Sequence, residues 1–199
     1  MLRSFVFSAF AGLALAGTAL AQAPAAPAPP PRVTFETTMG AVTVTLDPVG
    51  APKTTAHMLR LFRTRHFVGA AIFRVEPGFL IQLGDLDANL VYRPLPPHTR
   101  PVPLETATTH HQRGAIALAH GDDPNSGMSS FYFDLAENVG LNAKPDAAPN
   151  TTGYAVFGQV TAGMDVLDRI AAVTRDPARG PFPGMLPVTP IVITAVNVE

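Results

Sequence analysis

The segment FRVEPGFLIQLGD, Phe73 to Asp85, gathers residue types that could act on a polar group held against an apolar surface. Arg74 is a permanent cation with several fixed N–H donors. Pro77-Gly78 turns the chain, and by the period of two Leu80 and Gln82 then share one face of a strand. An arginine in a strand is by default a surface residue, so Arg74 needs a setting before it means chemistry. A second set of candidates lies in and just before GAIALAHGDDPNSGMSSFYFDL, Gly114 to Leu135. His110, His111, His120, Asp122 and Asp123 could hold a metal, and Ser129-Ser130 could supply a nucleophile. Adjacent His110 and His111 point to opposite faces if extended, and no HExxH or GxSxG pattern frames any of these residues. Loop polarity is the simpler account, and neither a metal nor another cofactor is expected. The chain has no cysteine, which removes thiolate nucleophiles, disulfides and cysteine-ligated metals.

The elements that must position these groups are short. Val33 to Thr37 and Val42 to Leu46 alternate apolar and polar residues around Gly40, the pattern of a β-hairpin. Ala51-Pro52-Lys53 leads into Thr54 to Phe67, where His57, Met58, Leu61 and Phe62 recur at helical spacing. Strand-like runs follow at Ala71 to Val75, Phe79 to Leu83, Ala115 to Ala119, Ser130 to Leu135 and Ala155 to Val160. A second helix is expected over Met164 to Val173 and a closing strand over Ile191 to Val198. Many short strands with two isolated helices favour a closed or nearly closed antiparallel barrel over a doubly wound α/β sheet. Val91 to Thr109, rich in Pro and Thr, reads as a long loop.

The whole chain has 199 residues, 47% of them hydrophobic and 15% charged, enough for one domain with a real core. Its formal net charge of −1 gives no electrostatic reason for nucleic acid or anionic lipid as partner. Met1 to Ala21 has the layout of a cleavable secretory signal: Arg3, an apolar run from Phe5 to Ala16, then Ala19-Leu20-Ala21. Cleavage after Ala21 would release a soluble monomer into the periplasm or medium, with no membrane segment. Residues 22–32 are an Ala/Pro-rich tether, and residues 33–199 form the domain.

Three segments, Phe73 to Asp85, Gly114 to Leu135 and Gly153 to Ile170 (GYAVFGQVTAGMDVLDRI), resemble the cyclophilin family in order and spacing. Ala51-Pro52-Lys53-Thr54, and Pro103-Leu104-Glu105 ahead of Arg113-Gly114, resemble it too. The likeness spans Val33 to Val198 and is nearest to bacterial exported members. It implies a mainly β fold, a closed eight-stranded antiparallel β-barrel capped by two α-helices, with a proline-binding groove on its outer face. It implies peptidyl-prolyl cis-trans isomerase activity on proline-containing polypeptides. The family's catalytic arginine falls on Arg74. Its groove residues fall on Phe79, Leu80 and Gln82, its small-residue edge on Ala119 with His120 beside it, and its pocket aromatics on Tyr132 and Phe157. Ser130 joins this substrate-binding set, and Leu141 is a candidate for the pocket leucine.

The chemistry fits such a set. Rotation about an X-Pro bond is opposed by about 18–20 kcal/mol of lost amide resonance, and no proton transfer or nucleophile is required. An apolar pocket that strips water from the amide helps, as does a donor near the prolyl nitrogen, whose lone pair is freed in the twisted state. Alternation sends Phe131 and Phe133 to the core and Tyr132 to the other face. It also opposes Phe79 to Leu80, so both reach the groove only if a twist or bulge follows Pro77-Gly78. The chain departs from common family residues at Ser130 (Gln), Tyr132 (Phe), His120 (Asn) and Tyr154 (His). The changes at Ser130 and Tyr132 keep open a non-catalytic module on the same fold that binds proline segments without turning them, while Arg74 and Gln82 argue against it.

Overall fold

Alternation of buried and half-buried positions lays down the first two strands of the computed structural model, which describes residues 29–106 and 110–199. The segment 1–21 expected to be a signal, and most of the expected Ala/Pro tether, lie outside the described residues. Strand β1 (Arg32–Thr37) turns at Gly40, whose φ of 131° is open to glycine, into β2 (Gly40–Leu46). Helix α1 (Pro52–Arg63) starts with Pro52 in its first turn and buries Thr54, Thr55, Met58, Leu61 and Phe62. Its first free N–H groups are met from far along the chain: the Glu105 carboxylate accepts from Lys53 N at 3.1 Å and Thr54 N at 2.8 Å. The helix ends earlier than the apolar spacing predicts, because Arg65 takes a left-handed φ of 57° and residues 64–69 coil as turns.

Strands β3 (Ile72–Glu76), β4 (Leu80–Leu83), β5 (Ala115–Leu118), β6 (Phe131–Asp134) and β7 (Ala155–Ala162) follow, then helix α2 (Met164–Ala171). A two-residue ribbon, β8 (Arg175–Asp176) with β9 (Leu186–Pro187), precedes β10 (Ile193–Val198). Eight strands form one antiparallel sheet in the order β10-β1-β2-β7-β5-β6-β4-β3. The inner face packs Phe35, Phe131 and Phe133 against Phe62 of α1, with Phe35 and Phe62 rings 5.1 Å apart, edge to face. Val166, Leu167 and Ile170 of α2 bury into the same core.

The mainly β class, the eight strands of the main sheet and both helices agree with the sequence reading, but the barrel is not closed. The sheet is an open, curled one whose edge strands β10 and β3 do not pair as a ladder. β10 runs away along β1, and the seam is bridged at Ala71–Val192, with Ile72 N donating to Ile191 O at 2.9 Å. Farther along β3, Val75 N donates to Met185 O at 2.7 Å, so the C-terminal loop covers this edge in place of a strand. The β8–β9 ribbon was not foreseen. No helix among the described residues is long and apolar enough to cross a membrane.

Candidate functional site

Strands β4, β5 and β6 carry apolar residues on both faces, and the period of two divides them. Ile116, Leu118, Phe131 and Phe133 join the main core, while Leu80, Ala115, Ala117 and Tyr132 form a second cluster on the outer face. Over that cluster opens a cavity of about 370 Å³ lined by Arg74, Phe79, Leu80, Gln82, Ala119, His120, Tyr132, Leu141, Tyr154 and Phe182. A neighbouring cavity of about 390 Å³ shares Gln82, Ala119 and His120 and continues toward Ser130 and Asp85. Together they make a groove with a saddle at those three shared residues.

Arg74 and Gln82 face each other across the β3–β4 ladder. Arg74 Nη1 donates to Gln82 Oε1 at 3.4 Å, and Nη2 donates to Glu76 Oε2 at 2.7 Å. The guanidinium lies over the Phe79 ring at 5.6 Å and over the Phe182 ring at 4.8 Å. Its Nε is buried with no partner in the protein. Gln82 Nε2 in turn donates to Ser130 Oγ at 3.1 Å. A cation thus sits at the edge of an apolar pocket, with its orientation fixed by a carboxylate, an amide and two rings.

Phe79 reaches the pocket without a bulge in β4. It occupies the last position of the turn Glu76-Pro77-Gly78-Phe79, closed by Phe79 N donating to Glu76 O at 3.0 Å, with Gly78 at φ 74°. Lying before the strand, it escapes the alternation that governs Leu80. Tyr132 forms the floor, 3% exposed, and its hydroxyl is buried with no partner. Burial pushes the Tyr132 phenol well above its usual range, helped by Asp134 and Tyr154 and opposed by Arg74. On the far wall the His120 and Tyr154 rings stack at 4.3 Å, and His120 Nε2 meets Gly153 O at 2.9 Å.

Arg74, Phe79, Leu80, Gln82, Ala119, His120 and Tyr132 therefore come together as expected, and Leu141 joins them from a 3-10 turn at Val139–Leu141. Ser130 lines the adjoining cavity and touches the site through Gln82. Phe157 is a correction. It is fully buried in the main core, 6.5 Å from the Phe62 ring, because its place in β7 points it inward. Tyr154 and Phe182 take the wall positions that the sequence reading left empty. Tyr154 was visible as a departure from the family residue, whereas Phe182 arrives from the β8–β9 connection, where no periodicity could place it.

The groups raised for hydrolysis are engaged elsewhere. Ser129 Oγ donates to Asp85 Oδ1 at 2.6 Å, Ser130 accepts from Gln82, and His111 pairs with Asp134 at 2.8 Å. No serine–histidine pair forms among them, and among the described residues no three metal-ligating side chains are grouped to hold an ion.

Residues 32–198 match the family model described as cyclophilin type peptidyl-prolyl cis-trans isomerase/CLD. The chain is 31% identical over 169 residues to the peptidyl-prolyl cis-trans isomerase cyp18 of Streptomyces antibioticus, covering 83% of this chain and 97% of that one. It is 30% identical over 167 residues to peptidyl-prolyl cis-trans isomerase A of Dickeya dadantii, covering 83% of each. Among solved structures, a cyclophilin from Hirschia baltica superposes with a TM-score of 0.65 at 23% identity, over 83% of this chain and 73% of that one. A cyclophilin type isomerase of Cryptosporidium parvum, in the presence of the dipeptide Ala-Pro, gives 0.64 at 19% identity, over 84% and 98%.

Proposed function

The chain belongs to the cyclophilin-type family and is a peptidyl-prolyl cis-trans isomerase, and from that premise we propose that it turns X-Pro bonds of exported polypeptides in the groove over Tyr132, with Arg74 as the catalytic donor. The observation that carries this assignment is the Arg74 guanidinium at the pocket edge, oriented by Glu76 and Gln82 and flanked by Phe79 and Phe182.

In the ground state the prolyl nitrogen lends its lone pair to the amide and is a poor acceptor. As the bond twists, resonance is lost and the lone pair localises on nitrogen. A fixed cationic N–H donor aimed at that atom binds the twisted state better than either planar isomer, which is what lowers a barrier. Leu80, Tyr132, Leu141 and the Phe79 ring hold the prolyl ring and exclude water, so the donor acts in a medium of low dielectric. Gln82 and Ser130 supply amide and hydroxyl groups for the substrate backbone on the saddle side. No bond is made or broken and no proton is transferred.

Export follows from the signal-like segment ending at Ala21. After cleavage the Ala/Pro tether precedes a monomeric domain in the periplasm or medium, which needs no cofactor and meets proline-containing segments of other proteins there. Mass spectrometry of the protein from the extracellular or periplasmic fraction tests this part, since an N-terminus at Gln22 supports it and retained Met1 opposes it. Isomer exchange in a short X-Pro peptide, wild type beside Arg74→Ala, tests the catalytic assignment.

A further inference from the structure

His111 and Asp134 form a pair with both side chains at 0% exposure, directly behind the pocket floor. His111 Nδ1 lies 2.8 Å from Asp134 Oδ2, and Nε2 lies 3.2 Å from the carbonyl oxygen of Tyr154. The imidazole faces the Tyr132 ring at 5.9 Å with 16° between the planes. Both ring nitrogens thus face an oxygen, one of Asp134 and one of the Tyr154 backbone, so the imidazole is held from two sides. From Asp134 the chain of contacts goes on: Asn138 Nδ2 donates to Asp134 Oδ1 at 2.6 Å and to Phe79 O at 2.9 Å. Asn138 N donates to His111 O at 2.7 Å, and Leu141 N donates to Asn138 O at 2.9 Å.

This polar spine ends at Phe79, Leu141 and Tyr154, three pocket walls that come from three separate segments of the chain, and it backs the floor, Tyr132. A buried pair of this kind is a poor source of stability, because desolvation cancels much of the attraction and apolar replacements are often as stable or more so. What it supplies is direction, since each bond fixes one wall relative to the others. Resting on the isomerase reading of the groove, we propose that His111 is a positioning residue: through Asp134, Asn138 and the Tyr154 carbonyl it sets the spacing of the walls that grip the prolyl ring.

The test pairs stability with binding. In His111→Phe/Asp134→Leu, apolar groups replace the pair without leaving a lone buried charge. The variant leaves the Tyr154 carbonyl and one Asn138 Nδ2 hydrogen without these partners, so it is expected to fold and to melt modestly below the wild-type temperature. Its Kd for an Ala-Pro-containing peptide, followed by NMR titration, rises about fivefold, the scale of one ordinary hydrogen bond lost from a wall. KM in the isomerase assay rises with it. A merely structural role would instead reduce the folded fraction and so the apparent kcat, leaving Kd and KM alone. A folded double variant with wild-type Kd overturns the proposal. Should that variant fail to fold, the isosteric Asp134→Asn carries the same test: a smaller rise in Kd supports the proposal and an unchanged Kd overturns it. Because Kd does not depend on catalysis, a wild type that binds but does not accelerate exchange would contradict the isomerase reading and leave this one standing on its own result.

Discussion

The Arg74 guanidinium carbon lies 4.8 Å from the centroid of the Phe182 ring, so a residue of the β8–β9 connection caps the cation assigned to catalysis. The Phe182 ring also stacks on Phe73 at 6.4 Å with 13° between planes, which ties it to the strand that carries Arg74. A partly exposed cation–π contact contributes about 0.5–1 kcal/mol. Phe182→Ala is therefore expected to lower kcat/KM roughly two- to fivefold while the melting temperature stays near wild type, as steady-state kinetics and thermal melts would read. Unchanged kinetics would remove Phe182 from the site.

Tyr132 carries a hydroxyl that is buried without a partner. An unmet buried donor costs about 1–3 kcal/mol, so Tyr132→Phe is expected to stabilise the fold by an amount in that range in chemical denaturation. Destabilisation would mean that the hydroxyl is satisfied in solution, for example by water.

Phe157 and Phe79 separate core from groove. Phe157→Ala is expected to cost about 3–5 kcal/mol of stability, as for a large aromatic removed from a packed interior. Phe79→Ala leaves stability largely intact and raises KM. A Phe157→Ala protein that melts normally but binds peptide weakly would return that residue to the pocket.

Asp85 is held above its ordinary carboxylate value of 3.8, first by burial, with hydrogen bonds from Ser129 and Ser130 pulling the other way. The folded protein thus takes up this proton more readily than the unfolded chain. The stability contribution is present in full below the unfolded value and is lost as pH rises through the folded one. Asp85→Asn is expected to raise the melting temperature at neutral pH, with the gain narrowing as pH falls toward 3.8. A gain that stays constant with pH would mean that burial of the charge is not its source.

Much of the site was legible in the sequence because it sits on strands, where a period of two decides which way each side chain faces. Leu80 with Gln82, and Tyr132 against Phe131 and Phe133, follow from that rule alone. Arg74 needed the family likeness as well, since nothing in its own spacing tells a catalytic cation from a solvated one. The same likeness misplaced Phe157, whose position in β7 faces the core. Phe79 was placed in the pocket by the family likeness alone, against the alternation, and the turn that puts it there was not readable. His111 was weighed as a metal ligand or loop polarity, and its partner Asp134 lies across a strand pairing that only the folded chain reveals. Closure failed for a similar reason. The eight strands of the main sheet were visible, but whether the last one meets β3 depends on the path of residues 185–192, which no periodicity encodes.

The central claim is that Arg74 turns a proline-binding groove into a catalyst, and exchange NMR on a short X-Pro peptide tests it most directly. With wild-type protein the cis and trans resonances should exchange on the timescale of the measurement. With Arg74→Ala the enhancement should fall by on the order of a hundredfold or more, the scale of one lost transition-state donor, while the peptide still binds. A mutant that keeps most of the wild-type exchange rate would contradict the account.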